Sequence, residues 1–413
     1  MRIGMAFIAV LGIALAGPTM AGARTWYVKP DGTGDAPTIQ HGINYADVAD
    51  TVLLSAGTYM GVGNRDIDFL GKAITLASQS GPEVTIIDCQ GLGTGFLFIS
   101  REGPSSVLSG LTIRNARDAA ILVQRSSPTI CRNAISRLSP GGAPIWCDDS
   151  SPAISGNIIS ENSGSLAGGI FCIGNSYPTI SNNTITGNSA SQGGGIYCLG
   201  SSPASISNNI ISNNRAGLGG GICCDVSSPV ISGNTISGNR ASEGAGIWCR
   251  NSSPTISGNT ISDNSASEGG GIYCYDWSSP IISGNTISGN SAMGEASGGG
   301  IFCGPNTSPS ISSTIIAFST EGGGIYCLDS NPTLTNCDIY GNAGGDALCG
   351  TDGGGNISTD PLFCDQGAGN FHLNCTSPCV NNPGYGQIGA FGVGCGTTAV
   401  ENTTWGRVKS MFR

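Results

Sequence analysis

Nine near-copies of one short segment, spread between Ser126 and Cys337, restrict this chain more than any other property. Ser232-Gly233-Asn234-Thr235-Ile236-Ser237-Gly238-Asn239 returns as Ser257-Gly258-Asn259-Thr260-Ile261-Ser262-Asp263-Asn264 and again as Ser283-Gly284-Asn285-Thr286-Ile287-Ser288-Gly289-Asn290. Marker prolines at Pro128, Pro152, Pro178, Pro203, Pro229, Pro254, Pro280, Pro309 and Pro332 set steps of 23 to 29 residues. A fixed period of that size specifies a solenoid, in which each repeat buries its apolar side only against its neighbours.

One repeat, Ser253 to Ser278, shows how a coil closes. Thr255-Ile256-Ser257 alternates like a strand with Ile256 inward, and Gly258-Asn259 turns the chain. Thr260-Ile261-Ser262 is a second strand with Ile261 inward. A polar arc follows, Gly269-Gly270-Gly271 permits a tight bend, and Ile272-Tyr273-Cys274 is a third strand. There Ile272 and Cys274 face inward and Tyr273 outward. Three short strands per coil predict an all-β parallel β-helix. Helical repeats are excluded by the Pro, Gly and β-branched content. Pro37 to Ala46 reads as a short N-terminal capping helix.

Coils ~4.8 Å apart stack equivalent residues in columns. One column holds Asn133, Asn157, Asn183, Asn209, Asn234, Asn259 and Asn285; another holds Asn162, Asn188, Asn214, Asn239, Asn264 and Asn290. Asn tolerates left-handed turns, and stacked amides bond one to the next, so both columns read as structural. Cys147, Cys172, Cys198, Cys224, Cys249, Cys274, Cys303 and Cys327 form an inward thiol column, read as apolar packing, free or partly oxidised. The only two His, His41 and His372, lie too far along the chain to join it in a metal site. Cys364, Cys375, Cys379 and Cys395 are expected to staple the last turns as disulfides.

These residues resemble the right-handed parallel β-helix repeat proteins of the pectate-lyase-like superfamily, in their secreted bacterial form. The opening is similar too: Val28-Lys29-Pro30-Asp31-Gly32-Thr33-Gly34, Pro37-Thr38-Ile39-Gln40, Asp50-Thr51-Val52-Leu53-Leu54 and Ala56-Gly57-Thr58-Tyr59. The resemblance spans about residues 25–395 and implies the fold rather than an activity, since this architecture carries many functions. The superfamily's polygalacturonate hydrolases carry Asn-Thr-Asp, Gly-His-Gly and Arg-Ile-Lys motifs. Asp148-Asp149 matches those enzymes' further Asp-Asp only superficially, the other motifs are missing, and the Gly-Arg-Pro-Trp segment of pectin esterases is absent.

The division expected is a signal peptide over 1–23, a cap with irregular first coils over 24–125, regular repeats over 126–337, C-terminal coils and a Cys-rich cap over 338–395, and a tail over 396–413. The apolar run Ile3–Ala16, broken by Gly17-Pro18 and followed by Ala21-Gly22-Ala23, has the form of a secretory signal. It is too short to span a bilayer comfortably. A secreted or cell-surface monomer is therefore expected, with no membrane span after signal removal. The tail from Thr403 to Arg413 reads as a sorting or anchoring signal or as a frayed end. A net charge of −10 with three Lys offers no basic surface for nucleic acid.

Three groups are candidate sites. Trp146, Phe171, Tyr197, Trp248, Tyr273, Phe302 and Tyr326 occupy the outward position of the third strand, with Cys223 among them. They are expected to form a solvent-facing stripe that stacks on sugars or docks a surface component, or else simply stabilises the sheet. Arg101, Arg125 and Asp149 lie two residues past the third strand's last inward residue; Ser100, Gln124 and Asp148 lie one past it. Arg beside a carboxylate pair suits uronate binding and acid–base work, or Ca2+ at Asp148 and Asp149; the alternative is a solvated salt-bridge ladder. Glu243 stacked on Glu268 either holds Ca2+ or turns its carboxylates apart. The function expected is a non-catalytic, adhesin-like β-helix that binds carbohydrate through an aromatic face. The alternatives are a polysaccharide lyase or glycoside hydrolase acting on a uronate polymer, and a structural spacer.

Overall fold

The computed structural model describes residues 22–138, 141–294 and 297–396. Most of the signal segment and all of Thr403 to Arg413 lie outside the described residues.

The chain winds as a parallel β-helix with three long sheets. The first sheet has 14 strands and runs from Thr25–Val28 to Thr351–Asp352. The second has 12, from Gly57–Tyr59 to Asp338–Tyr340, and the third has 11, from Ile67–Asp68 to Gly323–Cys327. Neighbouring strands within each are parallel and keep register through the repeats, as in Ile231↔Ile256↔Ile282 of the first sheet and Ile236↔Ile261↔Ile287 of the second, save for a bulge between Gly298 and Ile301 in the third. The register holds because a slip by one residue would turn every Ile to solvent.

Ile256, Ile261, Ile272 and Cys274 are all fully buried, and the equivalent side chains of other coils merge with them into one continuous core. Burying one such Ile stabilises by roughly 1.5–3 kcal/mol. A short helix, Ile39–Tyr45, closes the first coil, with the Thr38 side chain accepting from the His41 backbone N–H. Ile39 and Ile43 plug the apolar end that would otherwise meet water.

Both asparagine columns are continuous hydrogen-bond ladders. Asn234 Oδ1 accepts from the backbone N (2.9 Å) and Nδ2 (3.0 Å) of Asn209. Its own Nδ2 donates to Asn259 Oδ1 (3.0 Å) and to the Ile206 carbonyl (2.9 Å). The second ladder repeats the pattern, as in Asn214 to Asn239 to Asn264. These amides are buried and satisfied, which keeps two corners of every coil dry without an orphaned polar group.

At the C-terminal end a small sheet of Phe363–Asp365, Asn370–Asn374 and Val393–Cys395 folds back on the outer face of the second sheet. Leu373, Cys379 and Ile388 pack on Ile315 and Ala317, and the Ala390 N–H donates to Thr286 Oγ1 at 3.1 Å. Cys364 is bonded to Cys395, as the sequence led one to expect for this cluster. Cys379 departs from that expectation: its buried thiol donates to Asp338 Oδ2 at 3.0 Å. A second disulfide joins the last member of the thiol column, Cys327, to Cys349.

Candidate functional site

The aromatic column is real, but the expectation that it faces solvent is wrong. Register places Trp146 on Phe171, Phe171 on Tyr197, Trp248 on Tyr273, and Phe302 between Tyr273 and Tyr326. Yet Phe171, Tyr197, Trp248, Tyr273 and Phe302 are at most 5% exposed and form a second core with Cys223 and Ala167. The arc before each third strand folds back over its outer face. A glycine four residues ahead makes this approach at Gly193, Gly244 and Gly269: Gly244 has φ +59°, and a Cβ there would sit 2.7 Å from the Cβ of Trp248. The rings stack along the rod, with Tyr273 and Phe302 centroids 4.8 Å apart and Phe171 and Tyr197 5.2 Å apart. Only the end members, Trp146 and Tyr326, remain half-buried.

The stacked glutamates serve this outer core. Glu243 pairs in register with Glu268, but each turns to its own coil's ring. Glu243 Oε2 accepts from Trp248 Nε1 at 3.1 Å, and Glu268 Oε2 accepts from the Tyr273 hydroxyl at 3.3 Å. Burial, with these carboxylates nearby, pushes the Tyr273 hydroxyl well above its usual pKa. Among the described residues no group of three acidic, Cys or His side chains is placed to hold a metal ion.

The charged column also resolves differently from its expectation. Arg101, Arg125 and Asp149 occupy left-handed turn positions, with φ of 64°, 51° and 46°, and all three are exposed. Their file follows from one recurring turn. Asp149 Oδ1 accepts from the Asn175 N–H at 3.1 Å, and no ion pair joins Arg101 or Arg125 to a carboxylate among the described residues. Asp148 lies on the strand itself and points along the outer face, where Gln124 Nε2 donates to its Oδ2 at 2.9 Å. Arg101 and Arg125 therefore do not pair with these acids, while Asp148 and Asp149 each bring an Oδ1 beside Gly174, 3.1 and 2.7 Å from where a Cβ of that residue would stand.

What does converge is a groove of about 580 Å3 at the N-terminal end of the aromatic column. Trp146 and Leu122, register partners on Ile145–Asp148 and Ile121–Gln124, form an apolar floor. The Gln124–Asp148 pair borders the floor on the strands. The lining also includes Thr94, the Arg117–Asp118 ion pair (2.9 Å), and the backbone of Gly141 and Gly142. The Arg117 guanidinium holds the Asp118 carboxyl below the usual range, so Asp118 is an anion at neutral pH. The groove exists because Asp118-Ala119-Ala120 replaces the glycine triplet in this coil, while Trp146, edge-on to Phe171 at 5.0 Å, closes the covered column. Trp146 and Asp148 are candidates from the sequence alone, with Arg117 and Asp118 close to them along the chain, whereas nothing there joins Leu122 and Thr94 to them. The one available signal was the break in the triplet.

A family model described as the right-handed β-helix region matches residues 94–253, 163–301 and 194–361. No curated protein matches the sequence. Among solved structures, the chain is similar to the PL6 family alginate lyase AlyGC, with TM-score 0.50 and 14% identity over 82% of this chain and 54% of that one. It is also similar to the Azotobacter vinelandii mannuronan C-5 epimerase AlgE6 A-module, with TM-score 0.49 and 15% identity over 76% and 91% of the two chains. For pectate lyase Pel9A the figures are 0.47, 13%, 91% and 97%. At such identities the likeness is one of fold.

Proposed function

The chain belongs to the right-handed β-helix family, and on that premise we propose that it is a secreted or cell-surface protein that binds a polysaccharide in the groove at Trp146. The observation that carries this reading is a half-buried indole set beside Asp148, Gln124 and the Arg117–Asp118 pair. Pyranose rings present an apolar face and a hydroxyl rim; a wet-edged aromatic floor bordered by fixed donors and acceptors complements both. The two disulfides, Cys327–Cys349 and Cys364–Cys395, fit an oxidising compartment, as does the signal-like start. Among the described residues no helix is long and apolar enough to cross a membrane.

Binding without catalysis is favoured because Asp118 is tied to Arg117 and Asp148 to Gln124, while Arg101, Arg125 and Asp149 lie outside the groove's lining. The enzyme reading keeps one supporting fact: Asp118, Asp148 and Arg117 share one groove. AlyGC and Pel9A are named as lyases of alginate and pectate; for this chain the argument rests on the groove.

The test is retention of the purified protein on immobilised polyuronates and neutral glycans. Trp146→Ala is expected to weaken retention roughly tenfold or more, the loss of about 1.4 kcal/mol of ring contact. Retention unchanged by that substitution refutes the groove. Release of reducing or unsaturated ends that stops in Asp148→Asn replaces binding with catalysis.

A further inference from the structure

The arc that covers the aromatic column carries a second feature, on coils beyond the groove. Arg215 and Arg240 pair through their backbones in adjacent coils, in one file with Ser189 before them and Ser265 after. Both are exposed, and their Cα atoms stand ~4.8 Å apart. Four ion pairs form among the described residues, Arg65–Asp66, Arg114–Asp88, Arg117–Asp118 and Arg250–Asp225, and neither Arg215 nor Arg240 takes part. The nearest acid along the chain, Glu243, is turned away to Trp248 Nε1. Two like charges directly opposite one another weaken the pairing that holds them. Here such a pair stands in a chain of net charge −10, and among the described residues no carboxylate forms an ion pair with either arginine.

The two arginines also line one hollow. Arg215, Ala216, Arg240, Ala241, Ser242, Ser265 and Met293 enclose about 410 Å3. We propose that Arg215 and Arg240 form an oxyanion-binding site, which takes a sulfate, phosphate or carboxylate group between two guanidinium forks with the hydroxyls of Ser242 and Ser265 at its edge. Planar guanidinium groups match oxyanions through paired hydrogen bonds, and a bound anion cancels the repulsion that the empty pair carries. The coil spacing sets the reach: a group with several acceptor oxygens bridges the two side chains, and chloride does not. The site is independent of the groove at Trp146, since none of its residues lines that groove.

The experiment is calorimetric titration of the full chain with sodium sulfate against a chloride background of matched ionic strength, then with dextran sulfate and uncharged dextran. Wild type is expected to bind sulfate. Arg215→Gln and Arg240→Gln should each weaken it roughly tenfold, the loss of one charge-assisted contact, and the double variant should bind none. Arg240→Lys, which keeps the charge and loses the fork, should fall between. Both arginines are exposed, and thermal unfolding confirms that the variants fold. A further gain in affinity with dextran sulfate assigns the site to polymer-borne anions, and equal affinity assigns it to free ones; either supports the proposal. Wild type that binds neither, or a double variant that binds sulfate as wild type does, overturns it.

Discussion

Truncation of Trp248 separates the two roles that an aromatic column can have. The ring is 2% exposed, stacks in register on Tyr273, donates to Glu243 at 3.1 Å, and lies 5.5 Å from the Arg250 guanidinium. Deleting a buried Trp side chain costs about 3–5 kcal/mol through lost burial and the cavity left behind. The lost hydrogen bond adds about 1 kcal/mol at most, because Glu243 is partly solvated. Trp146 keeps only part of its ring covered, so its truncation should cost about 1–2 kcal/mol. Each coil touches only its neighbours, so the damage from Trp248→Ala should concentrate in residues 229–278. Hydrogen exchange reads this directly: amides of those coils should lose protection while glycan retention, measured under native conditions, survives. Trp146→Ala should show the reverse. If Trp248→Ala leaves the urea midpoint and the local exchange unchanged yet abolishes retention, the column is a binding surface after all, and the reasoning from its burial fails.

Two further outcomes are expected. Asn234→Ala strands the Asn209 backbone N–H in a dry corner, while Asn209 Nδ2 keeps the Ile180 and Ser207 carbonyls, so it should destabilise by about 2 kcal/mol, whereas Asn208→Gly, at an exposed left-handed position, should stay within about 0.5 kcal/mol; urea unfolding compares them. Burial pushes the Asp338 carboxyl up to about 6, so folding favours its protonated form. The penalty of the buried charge is present above that pH, is relieved as pH falls through about 6, and is gone below the unfolded value of 3.8. Asp338→Asn should therefore stabilise the C-terminal cap at pH 7 by about 2 kcal/mol and make no difference near pH 3.5, as read by thermal unfolding across pH.

The coils were legible because their cause is local. Ile256, Ile261 and Ile272 sit in three-residue alternations bounded by Gly and Asn, and only inward placement of each Ile gives a closed winding. The same logic found the asparagine ladders and the thiol column, since stacking repeats any one position along the rod. The capping helix read over Pro37 to Ala46 forms over Ile39–Tyr45. The burial of Tyr197, Trp248 and Tyr273 was not legible in the same way. Alternation says which side of a strand a residue takes; it does not say whether another part of the same coil lies across that side. A trace of the answer was present in Gly193, Gly244 and Gly269, each four residues ahead of its ring, at positions where a Cβ would strike the aromatic residue's own Cβ. A triplet of glycines read only as a bend hides that contact.

The candidate site was half-legible for a related reason. A column of charges is weak evidence of chemistry in a solenoid, because any turn position is copied along the rod. Arg101, Arg125 and Asp149 share φ values near +50° and a place on the surface, which is what one recurring turn requires of them. Departure from the repeat carries more information than membership in it. Where Asp118-Ala119-Ala120 stands in place of glycines, the outer face of the third sheet opens, Trp146 meets solvent, and Gln124, Asp148, Arg117 and Asp118 gather around it. Arg215 on Arg240 is a second departure, a repulsive pair in a file that otherwise holds Ser163, Ser189, Ser265, Ser291 and Glu321. In a fold stabilised by identical neighbours, each such exception forgoes some of that stabilisation, and binding is the physical return that would keep it.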